Sequence, residues 1–412
     1  MYFLFFRLQL PLSLALTGLV MAEPLHAQAE PTGQVMGWGE GWANAWGQLD
    51  NPPQRDFVMV SSKGYHSLGL RLNGEVAAWG RNEDGQADAP PGTGFRRVAC
   101  GNWFSLALAE DRSVVGFGRN NYGQCDAPAG DQFTNIGAGY SHAAGMRLDG
   151  SIACWGRNDN YGQCNGPSET GFVKLSVGYY HNLALRPDGS MVAWGRNDFG
   201  QSIAAPGNDF VKVAAGGVHS IALKSDGSLV GWGCYYHGQD QVPPGNDYVD
   251  ISAGRYHSAA LRSDGTIAAW GRSDWGLNIP PEGGGFVRIA AGRSHSLAIR
   301  EAPNYSAIGL RAGGIATLTV SGCQPGSMVY FVGSLDGFGP VDLPFGVIEL
   351  SQPFIFLNRQ VADSNGVALK GWRIPPHMAG MEFFSQALVV QPLFGHRVNE
   401  KRFSNALSST FR

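Results

Sequence analysis

Charge is scarce in this 412-residue chain. Asp, Glu, Lys and Arg make up 15% of it, against roughly 25% in an ordinary soluble domain. With 30 basic and 33 acidic residues the net charge is -3, so no positive field is offered to a polyanion and nucleic-acid binding is not expected. No block of like charge marks a solvated tail. Beyond residue 29 no apolar run is long enough to span a membrane. The signatures H-E-x-x-H, G-x-S-x-G and G-x-x-x-x-G-K-[ST] are missing. Gly116-Phe117-Gly118 lacks the helix that a dinucleotide site requires. The six cysteines, at 100, 125, 154, 164, 234 and 323, contain no C-x-x-C pair or zinc spacing, and their pairing stays open. No cofactor and no metal site is implied.

What is abundant is glycine, 59 residues, about twice the usual share, so turns must be frequent. The first segment reads as an address. Arg7 precedes the apolar run Leu8 to Met21, and Ala27-Gln28-Ala29 fits the A-x-A cleavage pattern of a secretory signal peptide. Pro11 interrupts the run, which argues against a membrane anchor. Cleavage after Ala29 would leave a secreted or periplasmic protein, without an integral membrane segment, where disulfides can form.

Internal repetition sets the architecture. Trp-Gly returns at Trp38, Trp79, Trp155, Trp194, Trp232 and Trp270, with Phe117-Gly118 filling the gap, at steps of 41, 38, 38, 39, 38 and 38 residues. A second marker runs through His66, Phe104, His142, His181, His219, His257 and His295. Within one copy, Phe210 to Gly216 is an apolar run ending in a glycine turn. His219-Ser-Ile-Ala-Leu follows, then an Asp226-Gly227 turn and Ser228-Leu-Val-Gly-Trp. Short β-rich runs between such turns read as antiparallel strands, named A, B and C here. Three short strands cannot bury both faces alone, so copies must stack, as in a propeller; a β-helix or linear solenoid is the alternative.

The chain enters the array with a lone C strand, Gln34 to Trp38, and the last copy stops after its B strand at Arg300. Each end lacks what the other has. Pairing Val35 to Gly39 with residues 295 to 300 would close a ring and remove two sheet edges. The expected fold is all-β: a seven-bladed β-propeller of short three-stranded blades over residues 30–302, closed by an N-terminal strand. A small β-sandwich-like domain would follow over 303–412.

The units Ala78-Trp-Gly-Arg-Asn-Glu-Asp-Gly-Gln86 and Gly254-Arg-Tyr-His-Ser-Ala-Ala-Leu261 resemble the repeats of the regulator of chromosome condensation superfamily, over about residues 34 to 300. That resemblance implies seven blades. The short repeats look more like the secreted bacterial branch typified by the type II β-lactamase inhibitory protein. The resemblance to that branch implies three-stranded blades and a partner protein bound on one propeller face.

Strand direction separates the faces, since A–B turns and C-strand exits share one and the Asp-Gly turns share the other. Asn73-Gly74, Asp149-Gly150, Asp188-Gly189, Asp226-Gly227 and Asp264-Gly265 make the second face structural. The first gathers Tyr65, Trp103, Tyr140, Tyr179, Tyr180 and Tyr256 from turns, and Trp46, Tyr122, Tyr161, Phe199, Tyr236 and Trp275 from exits. Large rings in variable positions of a rigid frame have the composition of a protein-binding surface; the bland reading is loop packing. Arg81, Arg119, Arg157, Arg196 and Arg272 follow the Trp-Gly marker, and their constancy points to loop bracing. The repeat histidines are expected to close hydrogen bonds at the A–B turns, because stacked sheets lie too far apart for a shared metal. Cys125 and Cys164 hold one place in consecutive blades, too far apart to bridge easily.

After Arg300, Pro303 to Ser306 read as a linker. Ile315 to Val320, Met328 to Val332 and Phe354 to Leu357 read as strands, Asp363 to Gly366 as a hairpin turn, and 395–412 as a poorly ordered end. The leading functional expectation is an exported, monomeric, non-enzymatic module that binds a protein partner, as an enzyme inhibitor among other options. The alternatives are a carbohydrate-active or other hydrolytic propeller with carboxylates near the axis, and a nucleotide-exchange regulator.

Overall fold

The computed structural model describes residues 31–39, 44–130 and 132–301 in full and, beyond Glu301, the backbone of ten strands. The expected signal peptide lies outside the described residues. From Gly33 to Glu301 the chain forms twenty-one strands in seven blades of three. In the fifth blade Phe210–Ala215, His219–Lys224 and Leu229–Gly233 pair antiparallel in chain order. His219–Lys224 is buried at every residue but the last. It is bonded along both edges and covered on both faces by neighbouring blades, which is why its sequence does not alternate.

Six of the seven A strands open on an aromatic residue, and those at Phe57, Phe133, Phe210, Tyr248 and Phe286 are almost fully buried between blades, while the fourth opens on Lys174, two residues after the buried Phe172. The B–C turns need a left-handed residue, and Gly74, Gly150, Gly189, Gly227 and Gly265 supply it at φ between 76° and 83°. The second blade has no glycine there, and Arg112 adopts φ 70° instead. These turns receive the next A strand: Phe95 N–H donates to Gly74 O (3.2 Å) and Phe286 N–H to Gly265 O (3.0 Å). At the opposite face, Arg81 N–H donates to Tyr65 O and Arg272 N–H to Tyr256 O, both at 2.9 Å. C-strand exits and A–B turns therefore share one face, as the strand directions require.

The ring closes as the split repeat predicts. Gly33–Trp38 pairs antiparallel with Ser296–Glu301, in register from Gly33 opposite Glu301 to Trp38 opposite Ser296. A further bridge, Gly33 to Phe57, joins this seventh blade to the first. Val35 packs with Phe57, Val60, Leu297 and Ile299, and Trp38 with Ala259, Leu261, Phe286 and Ala298. The Trp38 indole N–H donates to Leu277 O at 3.0 Å. Both ends of the array thus share one sheet and two cores.

The repeat histidines are structural, but their imidazoles bond between blades and not within the A–B turn. Each Nε2 meets the residue after the next blade's marker: His66 with Ser105, His142 with Asn182, His181 with Ser220, His219 with Ser258, His257 with Ser296 and His295 with Ser67, all at 2.7 to 3.0 Å. Phe104 breaks the belt, and the position it faces is Ala143, so both polar partners are absent together. An unpartnered buried imidazole or hydroxyl would be costly, whereas two apolar groups cost little. We expect Phe104→His alone to lose about 2–3 kcal/mol of stability. Adding Ala143→Ser should recover at least half of that in urea unfolding, and additive losses would show that the two positions do not meet.

Beyond Glu301 the strands Asn304–Ile308, Ile315–Ser321 and Ala368–Arg373 form one sheet. Met328–Ser334, Phe354–Val361, Glu382–Val390, Lys401–Phe403 and Leu407–Thr410 form a second. The three expected runs are strands. One expectation needs correction, since Asn304 to Ser306 belong to a strand and not a linker; within 395–412 Lys401–Phe403 and Leu407–Thr410 pair with Glu382–Val390, and the rest of that end lies outside the described residues. The turn expected at Asp363 to Gly366 lies outside the described residues.

Candidate protein-binding face

The exit loops are built by one internal clamp. In the first blade Asn82 Oδ1 accepts from Ala87 N–H (2.8 Å), and Gln86 Oε1 accepts from Asp84 N–H (2.9 Å). The Gln86 carbonyl in turn accepts from Ser105 of the next blade (2.8 Å). The same clamp holds the N–H of Trp46 by Gln48, Tyr122 by Gln124, Phe199 by Gln201 and His237 by Gln239. The residue two before the glutamine is therefore fixed at the loop tip with its side chain left over. Tyr161 occupies that place in the third blade, whose loop has one extra residue: Asn158 bonds Cys164 N–H six positions on, where its counterparts reach five. A disulfide, Cys154–Cys164, clamps this loop inside a single blade. Cys125, in the place equivalent to Cys164, is free.

Eleven of the twelve predicted rings reach this face to differing degrees. Trp46, Tyr122, Tyr161, Phe199 and Tyr236 are exposed, from 37% for Phe199 to 69% for Tyr236. Tyr65, Trp103, Tyr140, Tyr180, Tyr256 and Trp275 are half-buried. Tyr179 is the exception, with 1% exposed, and it is removed from the contact surface. It leans over the axis, and its hydroxyl donates to Lys63 O at 2.5 Å. Burial pushes the phenol well above its ordinary range.

Sequence reasoning missed Lys63. It stands where six other repeats have glycine, at Gly101, Gly139, Gly178, Gly216, Gly254 and Gly292, and that break was the available signal. Its buried ammonium donates to Ala138 O (2.7 Å) and Val177 O, so it ties the first blade to the third and fourth. Burial lowers its pKa to about 7.

The five marker arginines do brace loops: Arg81 pairs with Glu83, Arg157 with Asp159, Arg196 with Asp198 and Arg272 with Asp274. Arg119 reaches Asp84 of the preceding loop with two bonds, at 3.0 and 2.9 Å. They also lie on the crown of rings. Arg81 stacks on Trp46 and Trp103 (4.6 and 4.3 Å to the centroids), Arg196 on Tyr161 (4.9 Å) and Arg272 on Trp275 (4.3 Å). Tyr140 stacks on Tyr180 at 5.0 Å, and Phe199 meets Tyr236 edge-on at 5.8 Å. Arg255, Arg293, Tyr235 and His237 join the crown without having been foreseen. Each ring is held by a guanidinium or another ring at little further cost in order on binding.

The axis is lined by the A strands. Two residues after each repeat's leading aromatic stand Met59, Arg97, Asn135, Lys174, Lys212, Asp250 and Arg288. The single carboxylate, Asp250, is paired with Lys212 at 2.9 Å. On these strands no two acids come together for the acid and base roles of a glycoside hydrolase.

The regulator of chromosome condensation (RCC1) repeat matches at residues 57–86, 95–124, 133–163, 172–201, 210–239 and 248–274. Each match runs from an A strand to the clamping glutamine or close to it, and the seventh blade escapes because it is split between the two ends of the array. The chain belongs to the RCC1 repeat superfamily. No curated protein sequence matches it. Among solved structures it is similar to Prp20p from Saccharomyces cerevisiae, at 16% identity over 66% of this chain and 92% of that one, with a TM-score of 0.56. Human WBSCR16 is similar at 17% identity over 65% and 98%, with a TM-score of 0.54. At these identities the likeness establishes the fold alone. The expected likeness to the β-lactamase inhibitory protein receives no support from the comparisons.

Proposed function

We propose that this RCC1-repeat propeller is a non-enzymatic capture module that binds a partner protein on its crown of rings and arginines. The observation that carries the reading is the run of exposed aromatic tips on one face, continuous from Phe199 through Tyr236 to Tyr235 and bordered by Ile203. Contiguous apolar patches with rigid aromatic anchors mark interaction sites, whereas scattered apolar residues do not. A propeller of this superfamily fits such a role, and Prp20p has binding properties to Gsp1p and histones. We further read the protein as exported. The apolar leader supports this, and so does the Cys154–Cys164 disulfide, a bond that persists in oxidising compartments. An exported capture protein with an aromatic face suits the inhibition of an extracellular or periplasmic enzyme.

The test starts from affinity purification of the mature protein out of its own secreted fraction, with identification of what co-elutes. Replacing Trp46, Tyr122, Phe199 and Tyr236 together with alanine should weaken binding of that partner on the order of 100-fold or more. Leu72→Ala and Leu148→Ala, exposed at the opposite Asp-Gly face, should change it by less than about threefold. Loss of binding with the leucine variants but not the aromatic ones would move the site to the other face.

A further inference from the structure

Six of the seven A–B turns carry a residue just before the marker that can be compared with Ser294. Tyr65, Trp103, Tyr180 and Tyr256 put a ring there, Ser141 and Val218 do not, and the seventh blade has Ser294. Beside Ser294, at the seam where the two ends of the ring meet, lies a hollow of about 310 Å³ lined by Trp46, Tyr65, Arg81, Trp275 and Ser294. Three of its five walls are rings. Ser294 is 1% exposed, and its Oγ has no hydrogen-bond partner. A buried hydroxyl without a partner is costly, and it marks a place where a polar atom from outside could be received.

We infer that this hollow is a specificity pocket for the phenol side chain of a tyrosine on the partner protein, an inference that rests on the capture reading above. The partner's ring would occupy the space a ring fills in neighbouring turns, against Trp46, Tyr65 and Trp275. Its hydroxyl would bond Ser294 Oγ.

Charge selects the class of ligand. Each ring of the pocket carries a guanidinium: Arg81 over Trp46 at 4.6 Å, Arg293 over Tyr65 at 4.6 Å and Arg272 over Trp275 at 4.3 Å. Arg81 and Arg272 are balanced by Glu83 and Asp274, while Arg293 has no carboxylate partner among the described residues. Aromatic cages that hold ammonium groups leave their ring faces to the cation. Here the cations belong to the protein itself and repel another. A neutral, electron-rich ring with a polar tip satisfies both the walls and the orphan hydroxyl, and a lysine or methylated lysine satisfies neither.

The pocket can be probed without knowing the partner. N-acetyltyrosinamide, N-acetylphenylalaninamide and N-acetyllysinamide are titrated into the full chain, with the indole N–H resonances of Trp46 and Trp275 as the readout. The tyrosine probe should bind with a Kd on the order of 1 mM, about fivefold tighter than the phenylalanine probe. The lysine probe should shift neither indole. Ser294→Ala should bring the tyrosine probe down to the phenylalanine level, and Ser294→Tyr, which fills the hollow from within, should abolish both. Equal binding of the lysine probe, no tyrosine binding at tenfold that concentration, or unchanged binding in Ser294→Tyr would each overturn the assignment. If the probe fails while the crown alanines still abolish partner capture, the pocket is wrong and the binding face stands. If the probe binds while the alanines leave capture intact, the reverse holds.

Discussion

Lowering the pH from 7 to 4 should unfold the propeller cooperatively. The six belt imidazoles are fully buried, and burial depresses their pKa values, to about 3 for His66, His181, His219 and His295 and to about 4 for His142 and His257. An unfolded histidine titrates near 6.5. Between those values the unfolded chain binds protons that the folded chain refuses, so stability is fully present above about pH 6.5 and drains as the pH falls. At pH 5 the linkage is on the order of 2 kcal/mol for each imidazole, which several sites together make comparable with the whole stability of a domain. The aspartates of the B–C turns act lower. Asp111, Asp188 and Asp226 are held below 3.8 first by the hydroxyl two residues on, and Asp149 and Asp264 first by the backbone N–H there. Their contribution is lost only as the pH drops through that range, so the transition between 6.5 and 4 belongs to the belt. Tryptophan fluorescence and near-ultraviolet dichroism against pH provide the measurement.

The chain supplies its own control. Phe104 facing Ala143 is a belt position without an ionisable group, so His219→Phe with Ser258→Ala copies a pairing the fold already accepts. That double variant should shift the acid midpoint downward, while the melting temperature at pH 8 changes little. An acid midpoint that ignores the substitution would mean that the belt does not govern the transition.

Much of this architecture was legible in the sequence because the repeat exposes its own exceptions. Two markers in register gave seven blades, and the unpaired C strand at one end gave closure. The turn residues gave the two faces. What was not legible depends on distances across the ring. The histidine at one marker and the serine after the next are 39 residues apart, and only stacking brings them within 2.8 Å. Tyr179 occupies a variable turn position like Tyr140, yet it is swallowed because its nearer neighbour across the axis is Lys63. The arginines presented two readings as alternatives, bracing or binding; the geometry gives each guanidinium an acid of its own chain at its edge and a ring at its face, which is bracing. The disulfide was obscured because Cys154 and Cys164 lie in different parts of the repeat and meet only when the C strand and its exit loop fold back together.

Removing residues 31–39 should cost the whole ring its cooperative melting transition, not merely the seventh blade. In an open solenoid each unit leans on its neighbours alone, so loss of a terminal strand frays one end. Here the strand Gly33–Trp38 contributes to two cores, through Val35 toward the first blade and Trp38 toward the sixth. Its loss would uncover the edge of Ser296–Glu301, an invitation to pair with another chain. The seam would then rest on His295, which bonds Ser62 and Ser67 at 2.8 Å each, and on what is left of the core between Phe57, Val60, Leu297 and Ile299. Trp38→Ala, a milder cut, should cost about 3–5 kcal/mol, since the buried indole also leaves Leu277 O without its donor. Calorimetry of the truncated chain should show a broad transition at much lower temperature, with soluble aggregates on sizing. Adding a synthetic peptide of residues 31–39 should restore the sharp transition by strand addition to the open edge. A truncated chain that melts as sharply and as high as the intact one would show that six blades and two strands form a stable unit, and that the shared sheet does not hold the circle.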